Sequence, residues 1–280
     1  MTNRPFRGLF LVLFLLGLSA CSTKVIYNNL DWLTYWYLDD YVNLTDVQEA
    51  EFDSDLKQFL DWHRGSELQS YATHIMLIQD DINNGLDQTD IASYIQSLKG
   101  YWQRLLIRIE PGLVKLAYSL NEQQIETFLV AAEEKNSERV AKFEALSEQQ
   151  RLEDRYDKIA SRIESFIGQL TPVQKQLLHH TNIKHQSTFL DWIEFRRAWA
   201  HSVRDAYSIR NDKAAFEQSL KQSILNANDF RSEQYLKKIN HNEQLWIVTL
   251  DRLIGLLNNK QRKTLNAELG DIRTDLEALL

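Results

Sequence analysis

LTDVQ, residues 44–48, is the phrase on which the fold turns, because the chain writes variants of it again and again. Leu120-Asn121-Glu122-Gln123-Gln124, Leu146-Ser147-Glu148-Gln149-Gln150, Leu170-Thr171-Pro172-Val173-Gln174 and Leu257-Asn258-Asn259-Lys260-Gln261 share the pattern L-[TSN]-x-x-Q. Physically this is a helix start. Thr, Ser or Asn is the N-cap, and Gln three residues on reaches back to the N–H of the cap, as in a capping box. The preceding Leu stands at the hydrophobic-staple position. Pro172 occupies the first helical position, where its missing N–H costs nothing. The phrase at Leu146 is the weakest of the five, since it also reads as the interior of one long helix.

Working outward, composition agrees with long helices. Beyond residue 20 only Pro111 and Pro172 remain as prolines, and Leu, Gln, Glu, Lys and Ala abound. That scarcity of turn formers leaves few turns. The coarse helix reading is 30–41, 46–63, 67–83, 88–108, 111–118, 122–143, 148–167, 172–207, 212–225, 228–255 and 260–279. Gly85 and Gly100 mark breaks or bends. The fold class expected is all-α, a multi-helix bundle of long amphipathic helices, with residues 30–280 as a single domain.

A second recurrence suggests two similar halves. Phe59-Leu60-Asp61-Trp62 follows the first capping phrase, and Phe189-Leu190-Asp191-Trp192 follows the fourth. The phrases at Leu44 and Leu170 lie 126 residues apart, and the two FLDW stretches 130 apart. The expectation is an internal repeat of about 130 residues, spanning 44–145 and 170–280.

The N-terminus reads as an address. Arg4 and Arg7 precede an apolar run, Gly8 to Leu18, and small residues Ser19 and Ala20 follow. This is signal-peptide order, and the run falls short of the roughly 20 apolar residues a spanning helix needs. Cys21 is the only cysteine of the chain. Leu18-Ser19-Ala20-Cys21 resembles the bacterial lipobox. That resemblance implies cleavage of residues 1–20, lipid attachment at Cys21 and a tether over 21–29. Ser22 in second place, by the same resemblance, implies the outer membrane and its periplasmic face. More than one acyl chain gives a lasting anchor.

Residues 30–41 form a dense aromatic stretch. A helix apolar nearly all round is usually packed on several sides, which assigns it to the core. Trp and Tyr also suit the lipid headgroup level. The formal charge of the whole chain is −7. An acidic chain argues against nucleic acid and against a polybasic grip on anionic lipid.

Candidate chemistry is thin. Asp61, Trp62 and Arg64, with Asp191, Trp192, Glu194 and Arg197, form the candidate binding set. Asp61 with Arg64, and Glu194 with Arg197, have i,i+3 geometry for ion pairs. The two aspartates and Glu194 also raise a carboxylate pair for glycan hydrolysis, though equivalent packing ion pairs explain them more simply. His179, His180 and His185 lack the i,i+4 spacing of a helical metal pair. Neither a catalytic residue nor a metal or other cofactor is expected. Acidic neighbours such as Asp39-Asp40 and Glu133-Glu134 read as solvating, as does the charged run 133–158.

The lipobox, the opening YNNLDWLTYWYLDDYVNLT and the LTxxQ phrases resemble a family of proteobacterial lipoproteins of unknown function, along the whole mature chain. LTxxQ alone is similar to the motif of the Spy/CpxP periplasmic chaperones. The resulting expectation is a non-catalytic, membrane-anchored binding or scaffold protein for an envelope partner. The alternatives are a chaperone-like binder of unfolded proteins and a cell-wall glycan enzyme.

Overall fold

All five capping phrases start helices. In the computed structural model, which describes Tyr27–Leu280, the helices are α1 (Leu30–Leu38), α2 (Asp46–Ser66), α3 (Leu68–Asn84), α4 (Gln88–Ser119), α5 (Glu122–Glu144), α6 (Glu148–Ile167), α7 (Pro172–Lys184), α8 (Phe189–Ser208), α9 (Lys213–Leu225), α10 (Glu233–Gly255) and α11 (Asn259–Glu277), with a 3₁₀ turn at Ala227–Phe230. No strand occurs among the described residues, so the fold is an all-α bundle. The expected signal peptide, Cys21 and the expected tether up to residue 26 lie outside the described residues.

Thr45, Asn121, Ser147, Thr171 and Asn258 each accept from the backbone N–H three residues on, and the glutamine at that place answers the N–H of the cap. The phrase at Leu146 is therefore a genuine start. Asp87 and Asp90 build a further box at α4.

Four of the boxes go further and interlock in pairs. Gln48 and Gln124 exchange amide hydrogen bonds, Nε2 to Oε1, at 3.1 and 2.7 Å. The second Nε2 hydrogen of Gln48 goes to the Ser119 carbonyl, and that of Gln124 to the Asn43 carbonyl. Gln174 and Gln261 repeat the arrangement at 3.0 and 2.9 Å, with the carbonyls of Leu256 and Gln169. In every case the carbonyl belongs to the residue before the leucine of the partner phrase. Each amide thus uses both donors and both acceptor sites, which is what burial demands.

Three apolar clusters fill the bundle. Leu68, Tyr71, Ala72, Ile75 and Ile82 of α3 meet Leu269, Ile272 and Leu276 of α11. Leu170 and Leu178 join Trp246 and Leu253 of α10 beside the second glutamine pair. Val114 of α4, Val203 and Ala206 of α8, and Phe216 and Leu220 of α9 form the third. Helices of the two expected halves therefore share cores.

Three expectations about continuity need correction. Residues 88–119 form one helix, unbroken at Pro111 and at Gly100. Pro111 is exposed, as is Ile107 one turn earlier, so the carbonyl it frees lies on the side of water. Gly85 does end a helix, at φ +112°, where a side chain would strain the backbone. Residues 172–207 are two helices, separated at 185–188. Asn242 of α10 takes the backbone there: its Oδ1 accepts from the Gln186 N–H at 2.9 Å, and its Nδ2 donates to the Gln186 carbonyl at 2.8 Å. A side-chain amide from a distant helix has replaced helical hydrogen bonds.

The aromatic helix α1 also departs from expectation. It contains no buried residue, and Trp32 and Trp36 are 62% and 64% exposed. Tyr35 carries its attachment: the ring packs edge-on against Phe52, and its OH donates to Asp53 at 2.8 Å. No helix of the described residues is long and apolar enough to cross a membrane.

Candidate functional site

The two FLDW stretches lie on α2 and α8 and build alike locally. Phe59 and Trp62 stand 5.9 Å apart at 43°, Phe189 and Trp192 6.1 Å apart at 43°. One turn of helix sets that contact. A neighbouring helix then lays an arginine over each indole: Arg108 of α4 over Trp62 at 5.8 Å, Arg139 of α5 over Trp192 at 5.7 Å. Arg196 adds a second cation over Trp192 at 5.1 Å. Such contacts contribute on the order of 0.5–1 kcal/mol each where exposed, more where dry.

The acids do not repeat. Asp61 is exposed and pairs with Lys57 on its own helix at 2.6 Å. Asp191 is largely covered and pairs with Lys238 of α10 at 2.7 Å. The expected i,i+3 ion pairs do not form. Arg64 reaches back to the Tyr27 ring and, at 3.4 Å, to the Asn28 side chain. Arg197 instead takes Glu133 of α5, Nε and Nη2 both donating, and holds that carboxyl below its ordinary value. Glu194 is exposed. Planar guanidinium finds a better partner across the helix interface than along its own helix.

Sequence reading missed the polar cluster behind Trp62. Glu67 is buried at the α2–α3 junction and accepts twice from Arg104 of α4, at 2.9 and 2.7 Å. His63 lies between two tyrosines: Tyr27 OH at 2.9 Å from Nδ1 and Tyr71 OH at 3.4 Å from Nε2. Tyr71 meets Tyr101 edge-on, and Tyr101 OH is 3.1 Å from His74 Nδ1. Burial holds the imidazole of His63 below its ordinary pKa against the pull of Glu67, and burial also lowers His74. An open depression lined by Gln69, Thr73, His74 and Tyr101 lies at this end. No single stretch of sequence shows the cluster, because its members come from Tyr27 and from α2, α3 and α4.

The histidines in and just after α7 separate. His179 stacks on Tyr156 at 3.7 Å, and His185 is buried at the helix break, its pKa pushed down to about 4 by burial first and by Arg155 second. Among the described residues no group of side chains is placed to hold a metal ion.

A helical bundle closed by paired capping glutamines, with arginine-covered tryptophans on its helix faces, is the class these features define. Residues 40–236 match the family of unknown function DUF6279, and the chain belongs to that family. The match includes both FLDW stretches and starts after α1. No match is found among curated proteins or among solved structures.

Proposed function

We propose that the protein is an outer-membrane lipoprotein whose helical body faces the periplasm and serves as a non-catalytic binding or scaffold protein for an envelope partner. The observation that carries this reading is Leu18-Ser19-Ala20-Cys21 behind an apolar run too short to span a bilayer. The geometry of the body supports the rest. Asp61 and Asp191 sit on different helices, each closed by its own lysine. A glycan hydrolase wants two carboxyls facing one bond at roughly 5–10 Å. The glutamines of the LTxxQ phrases spend every donor and acceptor on one another and on helix ends, so the similarity to periplasmic chaperones reflects capping. What the body offers a partner is a set of rigid helix faces.

The test has two arms. The mature protein should carry the mass of acyl chains on Cys21 and float with outer-membrane vesicles, whereas Cys21→Ala should be unprocessed or released. A processed, membrane-bound Cys21→Ala protein sinks the anchor. Photo-crosslinkers placed at Arg64 and at Glu194, both exposed, should give discrete adducts with an envelope protein in intact cells. Suppression of client aggregation by the purified protein, without discrete adducts, would favour the chaperone reading instead.

A further inference from the structure

We infer that the Trp32–Trp36 face of α1 docks on the headgroup layer of the bilayer, in neutral phospholipid; this rests on the proposed lipid at Cys21. Trp32 and Trp36 are one helical turn apart and share a face. They are the most exposed tryptophans of the chain at 62% and 64%. Neither indole makes a hydrogen bond or a ring contact within the described residues, and both N–H groups are free to donate. Contacts from α1 and from the residues just after it hold the segment to the body. Tyr35 is bonded to α2, Tyr41 packs on Phe128 of α5, and Lys135 pairs with Asp40 and lies over the Tyr41 ring at 4.8 Å. The tryptophan face therefore cannot turn inward without breaking these contacts.

Chain length supplies the occupant. Tyr27 is clasped to the body by His63 and Arg64. It lies six positions after Cys21, so the clasp lies within about 20 Å of any lipid that Cys21 carries. Trp32 follows five residues after Tyr27, about 7 Å further along a helix. An exposed pair of indoles held that close to a bilayer finds the environment indole prefers, with its ring at the acyl boundary and its N–H among headgroup oxygens. Charge selects the lipid. Asp31 and Asp39 stand beside the tryptophans in the sequence, and Lys24 is the one basic residue between Cys21 and Asp40. Anionic headgroups are repelled by such a segment, and zwitterionic ones are not.

The experiment uses the mature protein reconstituted in phosphatidylethanolamine–phosphatidylcholine vesicles brominated near the headgroup end of the acyl chains. Bromolipid should quench about the share of emission that two of the seven tryptophans carry. Trp32→Gln/Trp36→Gln should lose that quenching, with an unchanged circular dichroism spectrum, because both side chains lie outside the core. Adding phosphatidylglycerol should not deepen it. Equal quenching in the variant, or none in the wild type, overturns the docking face. So does a concentration-dependent blue shift without vesicles, which would mean a second copy covers the indoles. Mass analysis of Cys21 separates the two ideas. Acylation without quenching sinks the face and keeps the anchor; quenching on added vesicles without acylation keeps the face and sinks the anchor.

Discussion

The glutamine pairs at the two ends of the bundle use the same atoms in different surroundings. Gln48 and Gln124 keep 7% and 9% of their surface exposed. Gln174 and Gln261 keep 0% and 3%, under Leu170, Leu178, Trp246 and Leu253. The hydrogen-bond inventory is equal, so any difference in their contribution to stability measures what a dry environment adds to one bonding pattern. In dry surroundings an amide that loses its partner has no water to turn to. The helices that follow also differ. α2 runs unbroken from its cap through FLDW, whereas α7 stops and α8 restarts after residues 185–188. Those four residues equal the difference between the 126-residue spacing of the capping phrases and the 130-residue spacing of FLDW.

Breaking the buried pair should cost most. Gln174→Ala removes a reciprocal cap and leaves the Leu256 carbonyl and one side of Gln261 unanswered, a loss of about 3 kcal/mol in denaturant unfolding. An effect below about 1 kcal/mol would show that water or repacking reaches this end as easily as the other. Acid should act next. His185 binds its proton less readily folded than unfolded, being held near 4 rather than 6.5. The unfolded chain therefore takes up the proton first as pH falls below about 6.5, and stability declines until about pH 4. That decline amounts to roughly 2–3 kcal/mol. His185→Asn should flatten that slope in a pH series of melting temperatures; an unaltered slope would assign it to His63 and His74 in the other half. Gln48→Ala should cost about 1.5 kcal/mol, less than its counterpart. Its cycle with Gln124→Ala should show coupling of about 1 kcal/mol, since either change alone strands the other amide. The smallest effect belongs to Gln150→Ala, about 0.5 kcal/mol or less. Its box is exposed and has no partner phrase, so it isolates the cap from the clamp.

The same contrast explains what the sequence made legible. A capping box is written within four residues, so the starts of α2, α5, α6, α7 and α11 were readable. That Gln48 meets Gln124 across 76 residues, and Gln174 meets Gln261 across 87, is a property of the fold alone. The break at 185–188 escaped notice because Asn242, which makes it, lies 56 residues away. Pro111 misled in the other direction, since a proline on a solvated helix face need not end the helix. Aromatic density put α1 in the core, yet density says nothing about which side of a helix finds a neighbour. Of the candidate site, Trp62 and Trp192 were visible through their repetition. Their arginine covers and the Glu67–Arg104 pair were not, being contributed by other helices.

The union of α3 with α11 has a temporal side. Besides the shared apolar cluster, Gln79 donates to the Asn266 carbonyl, Asn83 and Asn266 exchange amide hydrogen bonds, and Arg262 reaches the Ile82 carbonyl. These bonds span 180 to 187 residues. A ribosome working at about 5–20 residues per second finishes α3 on the order of ten to forty seconds before its partner exists. During that interval a strip of leucine, isoleucine and tyrosine stays uncovered, and a chain that stops short of α11 keeps it uncovered. The apolar strip of α3 is thus hidden from proteases and chaperones only once α11 has been made.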